Sequence, residues 1–332
     1  MTGNKPFLLR PAAKDYLWGG SRLNDEFAKG IEMFPLAETW ECSTHPDGIS
    51  TVASGENNGK SLALVLREHP EYLGTHSLAL TDGKAELPIL IKFIDAKKDL
   101  SVQVHPDDTY ARENENGAQG KIEMWYVLQA GKGTEIICGF NQGIDSERVR
   151  KAIGDGTIGL YLNHVPVHKD DLFVIEAGTV HAIGAGVLVA EIQQNSNLTY
   201  RMYDYGRVDK GGKPRELHVD KAMDVVNLKS STFPRQPMRV LRYRKGCASE
   251  LLTRCRYFQV ERLLLNTEAH RELAGFQTDG NSFHALLCTD GCGVLLGADF
   301  MINFFLGDCI FVPANSMELM LHGKAQMLNV SC

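Results

Sequence analysis

The chain has 332 residues, of which 43% are hydrophobic, and a formal net charge of -6, enough material for two domains of roughly 150 residues each. Mild acidity without a run of basic residues excludes nucleic acid as the main partner, and no stretch of about 18 uninterrupted apolar residues is present to cross a membrane. The eight cysteines are scattered, Cys288 and Cys292 being the nearest pair, and there is no CxxC, a pattern of reduced, buried thiols rather than of a disulfide framework or a zinc knuckle.

The N-terminal MTGNKPFLLRPAAKDYLWGG contains no apolar run long enough for a signal peptide, so a cytoplasmic protein is expected. Residues 1 to about 55 are punctuated by Gly and Pro, and their β-like pieces, Phe7 to Arg10 and Glu38 to Ser43, are expected as outer strands of a first sheet. Ser61 caps a helical pattern, SLALVLREHPEYLG, with Leu62, Val65 and Leu66 on one face until Pro70 interrupts it. Leu87 to Ile94 is nearly continuous in apolar residues and reads as a strand buried on both faces.

That strand leads into IKFIDAKKDLSVQVHPDDTYARENENGAQGKIE, residues 91–123, the densest run of chemically useful side chains. Side chains alternate along a strand, so Ser101, Gln103 and His105 share one face, and Lys121 and Glu123 share a face of an expected partner strand. The two polar stripes would meet in one pocket; the same parity would also suit a sheet with one solvated face. Beyond Glu123, MWYVLQ runs to a turn at residues 130–133 and TEIICGF reads as its hairpin partner. Ile144, Val149, Ala152 and Ile153 then recur at helical spacing behind the capping residues Asp145 and Ser146, with Gly154 expected as the C-terminal glycine, a short helical insertion in a β-domain.

Strands resume at KDDLFVIE and lead into AGTVHAIGAG, a glycine-rich turn expected to present His181 at its tip. Val187 to Gln194 alternates, which places Glu191 and Gln193 on a face with Val187 and Val189, and Arg201 follows in LTYRMYDYGR. Glu191 and Arg201 also fit a structural ion pair. Val219, Ala222, Met223 and Val226 mark a helix that buries one stripe and closes the first domain, residues 1–232. From about Phe233 the chain is β-rich again. Its GDCIFVPA resembles DDLFVIEA, a weak internal repeat of one β-barrel unit, but NSMEL follows in place of Gly-x-x-His, so the second domain, 233–332, is expected to hold no metal.

Gln103, His105, Glu123 and His181 together offer one amide oxygen, two imidazoles and one carboxylate. Such a set suits zinc or another divalent first-row ion, and the lack of thiolates argues against a closed structural site. With one carboxylate among four ligands, a divalent ion keeps a net charge near +1 and attracts anionic oxygen.

The segments IKFIDAKKDLSVQVHPDD, GKIEMWYVL, GTVHAIGAG and AEIQQNSNLTYRMYDYGR, with weaker support from PLAETWECSTHPDG, resemble the type I phosphomannose isomerases of the short bacterial form, zinc-dependent enzymes of the cupin superfamily. The resemblance covers most of the first 210 residues; Met124 and Asn197-Leu198 depart from the family motifs. It implies a mainly β bicupin, two β-barrel or jelly-roll units with a small helical insertion, and one zinc ion per chain on Gln103, His105, Glu123 and His181. It also places the family's active-site arginine, serine, lysine and glutamate at Arg201, Ser101, Lys121 and Glu191. The implied reaction interconverts mannose 6-phosphate and fructose 6-phosphate, so the partner is a small sugar phosphate.

Aldose–ketose isomerisation removes a proton beside a carbonyl and returns it one carbon away, so the developing enediolate charge needs a cation nearby, here the metal and Arg201. Lys121, Glu191 and a metal-bound water are all open as the base. No GxxxxGK[ST] loop occurs, so the phosphate falls to side chains such as Arg201 or Lys121, with Ser101. Two other classes use similar folds. A cupin oxygenase is disfavoured by the glutamine ligand, since such sites use three imidazoles or two imidazoles and a carboxylate. A non-catalytic sugar-binding bicupin would need neither Lys121 nor Arg201.

Overall fold

The computed structural model describes residues 3–208, 211–231, 236, 238–269 and 272–332, and among them three antiparallel sheets form a mainly β molecule. A six-stranded sheet runs Leu172–Ile175, Glu123–Ala130, Val187–Gln194, Ile89–Asp95, Glu38–Cys42, Ala12–Lys14. A five-stranded sheet runs Tyr200–Tyr203, Val102–Val104, His181–Ile183, Glu135–Phe140, Leu162–Pro166. The ten-stranded sheet gathers the C-terminal strands, including the two long ones, His284–Leu296 and Leu319–Ser331.

Strand periodicity explains how these sheets stack. Along Ile89–Asp95 the residues Ile89, Ile91 and Phe93 enter a core shared with Val260, Ala285, Phe311 and Leu328 of the ten-stranded sheet, whereas Lys92 and Ile94 face the other way, into a cavity. Met124 and Tyr126 of Glu123–Ala130 and Leu188, Ala190 and Ile192 of Val187–Gln194 join the first core. Their alternates Trp125, Val127, Val187 and Val189 pack against Ile136, Cys138 and Ile183 of the five-stranded sheet. The six-stranded sheet is therefore buried on both faces, as its apolar runs require. Helices Ser146–Gly154 and Val219–Val225 cover the outer face of the five-stranded sheet, with Val149, Ala152, Ile153 and Ala222 on Val102, Val104, Ala182 and Met202.

The capping expectations hold at Ser61, whose side chain accepts from Leu64 N–H at 3.2 Å, and at Asp145, which accepts from Arg148 N–H at 2.8 Å. Several long-range expectations do not. Glu123–Ala130 and Glu135–Phe140 are not a hairpin: the first pairs with Leu172–Ile175 and Val187–Gln194, the second with His181–Ile183 and Leu162–Pro166. Their inward residues Trp125, Val127, Ile136 and Cys138 meet face to face in one core, which residues on opposed sheets do. For the same reason Val102–Val104 and the strand beginning at Glu123 are not partners; they face each other across the interior.

Phe7–Arg10 joins the ten-stranded sheet, pairing with Cys309–Val312 and Thr51–Val52, because Phe7 stacks on Phe311 at 5.2 Å. Of the N-terminal pieces, Glu38–Cys42 and Ala12–Lys14 join the six-stranded sheet, with Ala12–Lys14 at its edge. Helix Ser146–Gly154 runs through the glycine expected to stop it and caps at Asp155, and Gly156 takes the left-handed conformation, φ 70°. The boundary expected at residues 232 and 233 lies outside the described residues. Among the described residues, no helix is long and apolar enough to cross a membrane.

Candidate active site and metal centre

Three cross-strand rows build the site. In the five-stranded sheet Gln103 lies directly opposite His181 on one side and Arg201 on the other, and directly opposed residues project to the same face. In the six-stranded sheet Trp125, Glu191, Lys92 and Trp40 occupy one row, and Glu123 lies opposite Gln193 in the next parallel row. Ser101 and His105 flank the short strand Val102–Val104, and Lys121 precedes Glu123 by the two residues that return it to the same face. His181 opens its strand, instead of standing at the tip of a turn. The preceding Gly178, at φ 82°, donates its N–H to His105 O at 2.9 Å; a Cβ there would lie 2.9 Å from Val225 O.

His105, Glu123 and His181 bring metal-ligating atoms within 4.8 Å of one another, all three side chains being buried. His181 Nε2 is 3.3 Å from Glu123 Oε1 and His105 Nε2 is 3.4 Å from Glu123 Oε2. Gln103 Nε2 is 3.3 Å from His181 Nε2, and a half-turn of that amide would bring its oxygen to the same place. Neither nitrogen of His105 has a hydrogen-bond partner, and Glu123 Oε1 has none either, its Oε2 being met by the Lys121 ammonium, a costly arrangement for buried polar atoms unless a cation satisfies them. His181 Nδ1 is 2.8 Å from Thr179 O, so Nδ1 carries the proton and Nε2 presents a lone pair to the cluster.

The electrostatics keep the donors in their ligating forms. Burial alone would raise the Glu123 pKa, but Lys121, with Nζ 2.8 Å from Oε2, and the two histidines hold it well below the usual carboxylate range. Burial, helped by Lys121, pushes His105 down to about 3, and burial also lowers His181. A carboxylate and neutral imidazoles are what a divalent ion needs.

Beside the cluster a cavity of about 250 Å³ is lined by Ser101, Gln103, Lys121, Glu191 and Arg201, among other residues, so every remaining residue expected from the sequence reaches one space. Arg201 donates from Nε to Ser101 Oγ at 3.3 Å and from Nη1 to Glu216 O at 2.8 Å. The expected alternative, a Glu191–Arg201 ion pair, is not formed. Glu191 instead pairs with Lys92 at 3.1 Å and accepts from Trp125 Nε1 at 2.9 Å.

Lys92, Glu38, Tyr16 and Arg215 also line the cavity and were not anticipated. Burial alone would lower the Lys92 pKa, but Glu191 and Glu38 outweigh it and raise it, which keeps the ammonium charged. A signal for Lys92 was present, since a lone lysine inside the apolar run Leu90 to Ile94 is anomalous unless something pairs with it. Arg215, which donates from Nε to Asp204 at 2.7 Å, arrives from a loop and carries no comparable signal.

The family described as phosphomannose isomerase type I, catalytic domain, matches residues 7–133. Mannose-6-phosphate isomerase ManA of Bacillus subtilis (strain 168) is 34% identical over 324 residues, which cover 98% of both chains. The mannose-6-phosphate isomerase of Streptococcus mutans is 39% identical over 224 residues, 68% of each chain. The crystal structure of mannose 6-phosphate isomerase from Bacillus subtilis superposes with a TM-score of 0.88 at 33% identity, covering 99% of this chain and 100% of that one. With identity at this level across nearly the full length of a relative, and the same cupin fold, the chain belongs to the type I phosphomannose isomerase family and is an enzyme.

Proposed function

We propose that this enzyme interconverts mannose 6-phosphate and fructose 6-phosphate through an enediol, with one zinc ion per chain held by Gln103, His105, Glu123 and His181. The observation that carries the reading is the convergence of buried ligating atoms from His105, Glu123 and His181 beside a cavity rich in cations. The donor set, two imidazoles with a carboxylate and an amide oxygen and no thiolate, suits zinc or another divalent first-row ion. When bound, the ion supplies a positive charge that polarises the substrate's oxygens.

The chain's own residues do the rest. Arg201, next to Gln103 in the sheet row, is assigned to the oxygen that becomes anionic as the proton leaves; its contacts with Ser101 and Glu216 aim it before substrate arrives. Proton transfer is assigned to Lys121 and Glu191, which reach the cavity from different segments and are both buried. Lys92 and Trp125 hold Glu191 in a fixed orientation. Arg215 and Ser101 are assigned to the phosphate, whose charge is present throughout the reaction. We also place the catalytic unit in residues 1–232 and a supporting unit without metal ligands in 233–332, with Phe7–Arg10 tying the first to the second.

The test is a coupled isomerase assay on mannose 6-phosphate, glucose 6-phosphate and ribose 5-phosphate, with metal content measured on the same sample. Turnover of mannose 6-phosphate well above the others, with about one zinc per chain, is expected. Binding of mannose 6-phosphate without turnover in metal-loaded protein would overturn the reading in favour of a sugar-binding bicupin.

A further inference from the structure

The C-terminal unit has a core of its own, in which Leu263, Leu286, Phe304, Leu319 and Met327 pack together. Strand alternation continues this interior face to Glu261, His284 and Asn329, two residues from Leu263, Leu286 and Met327 respectively. There the apolar filling stops and a cavity of about 380 Å³ opens, lined by Arg244, Phe276 and Gln277 as well, with Glu318 at its edge. This volume falls in the range of small-molecule pockets, roughly 300–1,000 Å³, and the mouth of a β-barrel is a usual place for one.

The polar groups at this mouth are ordered. Asn329, 6% exposed, holds its Oδ1 2.7 Å from His284 Nδ1 and its Nδ2 3.5 Å from Glu261 Oε2. An amide oxygen accepts, so Nδ1 carries the proton and Nε2 is left as an acceptor. Burial lowers the His284 pKa, which keeps the ring neutral. The ring stands edge-on to Phe276, 5.7 Å between centroids at 84°. None of these residues lines the catalytic cavity.

The chemistry of the lining selects a ligand class. Glu261 and Glu318 against the single Arg244 disfavour a phosphorylated or otherwise anionic molecule. A bare metal ion is also disfavoured, because among the described residues the one close group of three His, Cys, Asp or Glu side chains is that of His105, Glu123 and His181. An uncharged molecule fits when its hydroxyls donate to Glu261, Glu318 and His284 Nε2 and accept from Arg244, and when an apolar face rests on Phe276. A sugar ring has both features. We propose that the mouth of the C-terminal unit is a second, non-catalytic binding site for an unphosphorylated hexose or a comparable polyol.

The full-length, metal-loaded enzyme is titrated with D-mannose, D-glucose and glycerol in turn by saturation-transfer NMR, with the catalytic cavity kept filled by an equilibrated mixture of mannose 6-phosphate and fructose 6-phosphate. At least one of the three is expected to bind in the millimolar range despite the sugar phosphates. Glu261→Ala should weaken that binding about five- to tenfold, the loss of one hydrogen-bonding group, and leave isomerisation unchanged. The exposed Gln277→Ala gives a second reading should Glu261→Ala fold poorly. Absence of binding by all three, displacement by sugar phosphate, or affinity unchanged in both variants would each overturn the proposal.

Discussion

Glu191 and Lys92 are directly opposed in the register of neighbouring strands, and their charged atoms lie 3.1 Å apart with both side chains buried. Trp125 and Trp40 flank them in the same row, one donating to Glu191 and the other stacking under the ammonium at 5.0 Å. Lys92→Met should therefore strand Glu191, and Glu38 at 3.8 Å, as buried carboxylates. A loss of about 3–5 kcal/mol is expected for breaking such a pair, read as a lower urea midpoint. The Lys92 pKa is raised above its ordinary 10.5, so its contribution is complete below pH 10.5 and disappears as pH rises through the higher folded value. Wild type should accordingly lose stability over that alkaline interval more steeply than Lys92→Met; parallel curves would remove the assignment.

Glu191→Gln keeps the shape and leaves the metal donors untouched. If Glu191 takes part in proton transfer, turnover should fall by about 10²–10⁴-fold while metal content is unchanged. Near-normal turnover would reduce Glu191 to an ion-pair partner of Lys92 and leave the proton to Lys121.

Arg201 and Arg215 should separate by kinetic signature. Arg201→Ala is expected to lower kcat by about 10²–10³-fold with little change in KM, the behaviour of a donor aimed at charge that develops in the transition state. Arg215→Ala is expected mainly to raise KM, because phosphate is equally charged in ground and transition states. Wild-type turnover in Arg201→Ala at saturating substrate would refute its assignment.

His105→Ala should lower metal occupancy and rate together, by at least the roughly 10–100-fold that even outer-shell partners cost. Chelation of wild type should abolish activity, and added zinc should restore it. Full activity in a sample shown by elemental analysis to hold no metal would be decisive against the site.

Gly178→Ala tests the backbone that sets His181. A side chain at φ 82° that also approaches Val225 O to 2.9 Å should cost on the order of 1–3 kcal/mol, with reduced zinc retention because Gly178 N–H anchors the His105 carbonyl. A melting temperature equal to wild type would show that the loop relaxes freely.

Much of this site was legible in the order of residues, because strand alternation is local. The two-residue spacing alone places Ser101, Gln103 and His105 on one face, Lys121 and Glu123 on another, and Glu191 with Gln193 on a third. Capping at Ser61 and Asp145 is equally local, a side chain meeting an amide three residues on. Residue chemistry adds that one amide, two imidazoles and one carboxylate suit a divalent ion. Tertiary structure alone decided which strands became neighbours and in what register. It turned the segments around residues 130–134 from a hairpin into a crossing between sheets, drew Phe7–Arg10 onto the C-terminal strands, and set Lys92 beside Glu191 in place of Arg201. Those outcomes depend on which faces can bury each other across the closed molecule, as when Phe7 finds Phe311 about three hundred positions away. No local period encodes that choice, because the free energy resides in apolar area shared between distant segments.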